Sequence, residues 1–106
     1  GMQCAVVEFC RNVLNLKDAS STEVNPNTPH PVIDLMAEQK VIVAKGGTMR
    51  LGAYQCNLKD KSLVKKAYKT DHIVERHRHR YEFNNAYAEL IEKNGMIATG
   101  LNQSKI

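Results

Sequence analysis

The chain has 106 residues, 42% hydrophobic and 25% charged, with 15 Lys and Arg against 11 Asp and Glu for a formal net charge of +4. That length supports one domain, which hides roughly 60–70% of the surface exposed by the unfolded chain, and excludes a second. The charge is mild beside that of a dedicated nucleic-acid binder, no apolar run approaches the ~18 residues of a membrane-spanning helix, and the start lacks the basic-then-apolar pattern of a secretory signal.

In chain order, Met2, Ala5, Val6, Phe9, Cys10, Val13 and Leu14 repeat at helical spacing and predict an amphipathic helix over residues 2–14, with Glu8, Arg11 and Asn12 on its wet side. An amphipathic helix that feeds a sheet usually follows a strand, so a strand is expected ahead of residue 1. Residues 17–29 are polar and hold Pro26 and Pro29, which block a regular helix; something other than apolar packing must place this loop. Residues 31–36 read as a short strand, and Gly46-Gly47 as a turn into a second strand over residues 48–54. Ser62 caps a short helix running to Tyr68. Asn84 or Asn85 caps a longer one in which Tyr87, Leu90 and Ile91 share a face and which Gly95 ends. The basic block at 74–83 lies between these helices, and a last short strand is expected at 96–99. The order predicts a mixed α/β fold.

Glu75-Arg76-His77-Arg78-His79-Arg80-Tyr81-Glu82 is the least ordinary stretch. As a strand it puts the arginines on one face and the histidines on the other. Two histidines fall short of the three or four ligands of a zinc site, and no metal site is expected. Two readings stay open from the residues alone. One is a solvated strand whose arginines pair with Glu75 and Glu82. The other is a stand-alone binding module that uses Arg76 to Arg80 for an anionic partner such as RNA, with Tyr81 and Phe83 as stacking groups. The glycines of 45–52 match neither GxxxxGK[ST] nor GxGxxG and read as a turn. Cys4, Cys10 and Cys56 form an odd set without a CxxC pair, which argues against a disulfide framework or a zinc knuckle and suits a reducing cytoplasm. Cys4 and Cys10 sit in the first helix and Cys56 follows a strand, without the neighbours that activate a thiol.

Four segments stand together in one order: Gly1-Met2-Gln3; Ser21-Thr22-Glu23; Gly46-Gly47-Thr48-Met49-Arg50-Leu51-Gly52; and Glu75-Arg76-His77-Arg78-His79-Arg80-Tyr81-Glu82-Phe83-Asn84. In this the whole chain resembles the glutaminase domain of the CTP synthase family. The resemblance implies a class I glutamine amidotransferase, a doubly wound α/β domain in which a cysteine attacks the glutamine amide and releases ammonia. A separate synthase domain, absent from residues 1–106, uses that ammonia with ATP and magnesium to turn UTP into CTP.

In that family the nucleophile sits in a Gly-x-Cys-x-Gly-Met-Gln turn, so the resemblance sets the cysteine two positions ahead of Gly1. The base and its carboxylate come from a downstream His-Pro-Glu segment, and no histidine follows Arg80 here. The chain is thus expected to be a central, partial glutaminase domain, without a catalytic residue or cofactor of its own and inactive alone. Carried over by position, the glutamine-binding residues are Gly1, Met2 and Gln3 at the helix start, Glu23 for the substrate's α-amino group, and Arg80 for its backbone. The expected partners are glutamine, the synthase domain and further copies of the chain, since flanking strands cut away leave sheet edges to pair; nucleic acid and membrane are not expected. Residues 36–45 are shorter than in many members of the family, so no GTP response is inferred.

Overall fold

A computed structural model describes residues 1–35, 50–103 and 106. The expected Gly46-Gly47 turn and the shortened 36–45 segment lie outside the described residues. The elements in order are helix α1 (Met2–Asn12), strands β1 (Ser20–Ser21), β2 (Pro31–Leu35) and β3 (Arg50–Leu58), and helix α2 (Leu63–Tyr68). Strands β4 (His72–His79) and β5 (Tyr81–Phe83), a 3-10 turn (Asn85–Tyr87), helix α3 (Ala88–Lys93) and strand β6 (Gly100–Leu101) follow.

The strands form two three-stranded sheets, ordered β1-β2-β5 and β4-β3-β6. In the first, β1 runs parallel to β2 and β5 antiparallel to it. Neighbouring residues of a strand point to opposite faces, and Val32 and Ile33 of β2 are both 0% exposed, so this sheet is covered on both sides. Val6 and Cys10 of α1, Ala19, Phe83 and Ile91 complete its core. Such two-sided cover fits the partial doubly wound α/β domain expected from the sequence.

The second sheet is covered on one side only. Leu51, Ala53 and Gln55 of β3 pair with Arg78, Arg76 and Val74 of β4 on an exposed face. Tyr54, Cys56, Ile73, His77 and His79 lie half-buried on the other. The alternation of arginine and histidine is therefore real for residues 76–79, because an antiparallel ladder with one wet face sorts side chains by parity.

Local chemistry sets the ends. Asn15 takes a left-handed φ of 55° after α1, and the Leu16 N–H donates to the Cys10 carbonyl at 2.9 Å, closing the helix as asparagine can. The Ser62 hydroxyl accepts from the Lys65 N–H at 3.1 Å and starts α2 where the sequence places it. The Asn84 side chain accepts from the Ala86 N–H at 3.1 Å and so caps the 3-10 turn that leads into α3, while α3 itself starts after Tyr87 without a side-chain cap; Gly95 follows α3 at φ 105°.

Other expectations shift. The second strand continues past residue 54 to Leu58, so Cys56 lies inside it, because the ladder with β4 carries the polar residues Gln55 and Asn57 along. The last strand forms at Gly100–Leu101 instead of 96–99, where the Lys59 N–H reaches the Thr99 carbonyl at 2.8 Å and β6 pairs with Asn57 and Leu58. The polar loop hides an unexpected strand, β1, fixed by hydrogen bonds as its composition demands. Thr28 Oγ1 donates to the Asp18 carbonyl at 2.6 Å, and Arg11 Nε to the Ala19 carbonyl at 2.6 Å.

Candidate functional site

In the sheet β1-β2-β5, the carboxyl end of β2 lies beside the start of β5, and its parallel partner β1 ends two residues short of it. Ile33 is in register with both Ser21 and Phe83, and Leu35 with Tyr81. Carboxyl ends of parallel strands are where open α/β sheets commonly bind ligands. Three of the sequence-picked segments come to this end by three routes.

Helix α1 begins at Gly1 with no side-chain cap, so its first N–H groups are left without helical partners. Gly1 and Met2 are exposed there, while the half-buried Gln3 turns its amide inward and donates from Nε2 to the Tyr81 carbonyl at 2.8 Å. That bond spans 78 residues and ties the start of α1 to the start of β5.

Glu23 stands just past β1. The Thr22 N–H donates to the Ile33 carbonyl at 3.0 Å, and Thr22 Oγ1 donates to Asp34 Oδ1 at 2.7 Å, which pins the residue before it. The Glu23 N–H meets Ser21 Oγ at 3.2 Å, and its side chain is exposed. Two strand spacings, about 10 Å, separate the line of β1 from that of β5.

Arg80 is an exposed single residue between β4 and β5, at the corner where the chain leaves one sheet for the other. The sequence reading had it inside a strand with Arg76 and Arg78. The strand breaks at this point because residue 79 pairs with β3 and residue 81 with β2. Around the corner, His79 Nδ1 lies 3.1 Å from the Tyr81 carbonyl and 3.7 Å from Glu82 Oε1, and its Nε2 lies 2.9 Å from His77 Nδ1. The His77 ring in turn leans on Tyr54, with centroids 5.1 Å apart. Sequence reasoning weighed these histidines as metal ligands and missed them as a hydrogen-bonded pair; their inward parity in the HRHR run was the available signal. Among the described residues no group of three or more His, Cys, Asp or Glu side chains is arranged to hold a metal ion.

The stacking groups of the RNA reading do not reach the arginine face. Phe83 is 4% exposed within the core and Tyr81 packs against that core, which leaves Arg76 and Arg78 on an open face without the aromatic platforms that single strands need.

The thiols are not placed for nucleophilic work. Burial pushes the Cys10 thiol up, and burial with the nearby Glu75 carboxylate pushes Cys56 up, the reverse of what makes a thiolate. Cys4 is exposed on the first turn of α1. Two open surface depressions of about 490 and 520 Å³ lie elsewhere, one lined by Arg11, Asn15, Lys17 and Asp18 and the other around α2, and neither includes Gln3, Glu23 or Arg80.

Residues 1–106 match the family of class-I glutamine amidotransferases. The chain is 60% identical over 101 residues to the CTP synthase of Caldanaerobacter subterraneus subsp. tengcongensis, covering 95% of this chain. It is 61% identical over 102 residues to that of Cytophaga hutchinsonii, covering 96%. It spans about 19% of the length of these curated relatives. The glutaminase domain of Trypanosoma brucei CTP synthase, solved with bound acivicin, superposes with a TM-score of 0.88 at 39% identity, over 96% of this chain and 39% of that one.

Proposed function

The chain belongs to the class-I glutamine amidotransferase family, and from that membership we propose that it forms the glutamine-holding part of a CTP synthase glutaminase domain. The observation that carries this reading is the bond from Gln3 to the Tyr81 carbonyl, which draws the uncapped start of α1 and the Arg80 corner to one end of the sheet. Glu23 reaches the same end past β1.

Each group has a role that its chemistry suits. The backbone N–H groups after Gly1 and the side chain of Gln3 face the amide end of the substrate, where partial positive charge at a helix start favours oxygen. Glu23 pairs with the α-ammonium group by a charge-assisted hydrogen bond, and Arg80 with the α-carboxylate. A carboxylate and a guanidinium at one end of the sheet thus offer a partner to each charge of a zwitterion. The thiol nucleophile and its base are not among residues 1–106: the family's turn would set the cysteine two positions ahead of Gly1, and no histidine follows Arg80. The chain by itself then binds glutamine without hydrolysing it, because removing one member of a catalytic unit removes most of the rate.

The whole reaction, UTP, ATP and glutamine to CTP, belongs in this reading to a synthase domain that uses ATP and magnesium and receives the ammonia. That partner domain, self-association and a cytoplasmic setting are parts of the proposal. Free Cys4, Cys10 and Cys56 suit a reducing compartment, no described helix is long and apolar enough to cross a membrane, and exposed Leu51 and Val74 on the open sheet face suit contact with another copy.

Titration of the isotope-labelled chain with L-glutamine tests the site. Shifts confined to Gln3, Glu23 and the 80–81 corner, lost in Arg80→Ala and in Glu23→Gln, are expected, with no ammonia released. Ammonia release by the chain alone, or binding indifferent to both substitutions, would refute the assignment.

A further inference from the structure

The Arg80 corner is a demanding piece of backbone. One residue carries the chain from a strand paired with β3 to a strand paired with β2, and neither ladder includes it. The reading above asks this exposed arginine to meet a small ligand at a set angle, so the shape of the corner matters.

The ring of His79 closes the corner. Its Nδ1 lies 3.1 Å from the carbonyl of Tyr81, two residues on, so the hydrogen bond loops around Arg80 as an asparagine or serine side chain loops around a turn. A carbonyl only accepts, so Nδ1 carries a proton, and in the neutral ring Nε2 is then left bare. The bare Nε2 faces His77 Nδ1 at 2.9 Å, which makes His77 the donor to His79. With His79 neutral the order runs one way: His77 donates to His79, and His79 donates to Tyr81. Glu82, 8% exposed, holds Oε1 at 3.7 Å from His79 Nδ1 and favours a proton on that nitrogen. The Tyr81 carbonyl also receives the Gln3 amide at 2.8 Å, so the same oxygen joins the histidine relay to the start of α1. Tyr54 packs on the His77 ring and backs the relay from β3.

We propose that His79 is a positioning residue: held in its Nδ1–H form by His77 and Glu82, it closes the one-residue corner and fixes the direction in which Arg80 presents its guanidinium. This rests on the reading of Arg80 as a glutamine-binding residue. The role is distinct from packing, because it needs a donor at the Nδ1 position and not merely a ring. Asparagine carries its amide nitrogen where histidine carries Nδ1, so it can keep the bond, and phenylalanine keeps the ring without the donor.

The test combines imidazole nitrogen spectra of the wild-type chain with L-glutamine titrations and Arg80 amide exchange in His79→Phe, His79→Asn and Arg80→Ala. His79 protonated on Nδ1, faster exchange at the Arg80 amide in His79→Phe with glutamine binding weakened about tenfold or more, and recovery of most of both in His79→Asn are expected. His79 protonated on Nε2 alone would overturn the proposal. So would a His79→Phe chain that exchanges and binds like wild type while Arg80→Ala loses binding, a result that leaves the glutamine site standing. Should L-glutamine fail to shift the wild-type spectrum, that site reading falls, and the corner role is decided by exchange alone: unchanged in His79→Phe it is refuted, faster and restored by asparagine it holds.

Discussion

Thr22→Val isolates the bond that sets Glu23 in place. The substitution exchanges a hydroxyl for a methyl of nearly the same size and takes from Asp34 Oδ1 the donor at 2.7 Å, while the Leu35 N–H at 2.8 Å stays. A hydrogen bond to a charged acceptor contributes about 1.5–3 kcal/mol. Thr22 and Asp34 are both half-buried, so solvent screening brings the expected loss to about 1–2 kcal/mol. For a domain of about this size that is a fall of roughly 5–12 °C in melting temperature. Denaturant unfolding followed by circular dichroism gives the loss directly, and Thr22→Ser, which keeps the hydroxyl, should recover at least half of it. Glutamine affinity should fall in Thr22→Val as well, since the next residue is Glu23. A valine chain as stable as wild type, or a serine chain as unstable as the valine one, would refute the reasoning that a hydrogen bond rather than packing holds this loop.

Ile33 is 0% exposed at the middle of the two-sided sheet, so Ile33→Ala should cost about 2–5 kcal/mol and Ile33→Val about 0.5–1.5, read by the same unfolding curves. A Cβ added at Gly100 would meet Cys56 Sγ at 2.6 Å, so Gly100→Ala should destabilise by about 1–3 kcal/mol, and adding Cys56→Ala should recover most of it. The Lys65 ammonium, hydrogen-bonded to Asp71, holds the Asp71 carboxyl below its ordinary value; this support is present above the unfolded carboxylate range and is lost as pH falls through the folded value. Carboxyl carbon titration should show the lowered midpoint, and Lys65→Met should return it to normal. Tyr68 is raised by its bond to Glu75, so its contribution is present below the unfolded phenol range and fades as pH rises through the folded value; Glu75→Gln should shift the ultraviolet titration of Tyr68 downward.

Much of the fold and of the candidate site was legible in the residues, and the division has a physical cause. Local chemistry is written locally: the helical spacing from Met2, the Ser62 and Asn84 caps, the Pro31–Leu35 strand and the arginine and histidine parity of β4 need only neighbours a few residues away. The four segments that resemble the family also singled out Gln3, Glu23 and Arg80. What the sequence could not say is where strands find their partners. Pairing with β4 carried β3 on to Leu58, pairing with β3 moved the last strand to Gly100–Leu101, and two separate ladders broke the basic strand at Arg80. Long-range contacts likewise decided that Phe83 belongs to the core and that Gln3 meets the Tyr81 carbonyl. They also turned His77 and His79 into a pair ordered from Tyr81. A hydrogen bond between residues 78 positions apart has no local signature, because its energy depends on where the sheets bring the chain and not on the residues beside it.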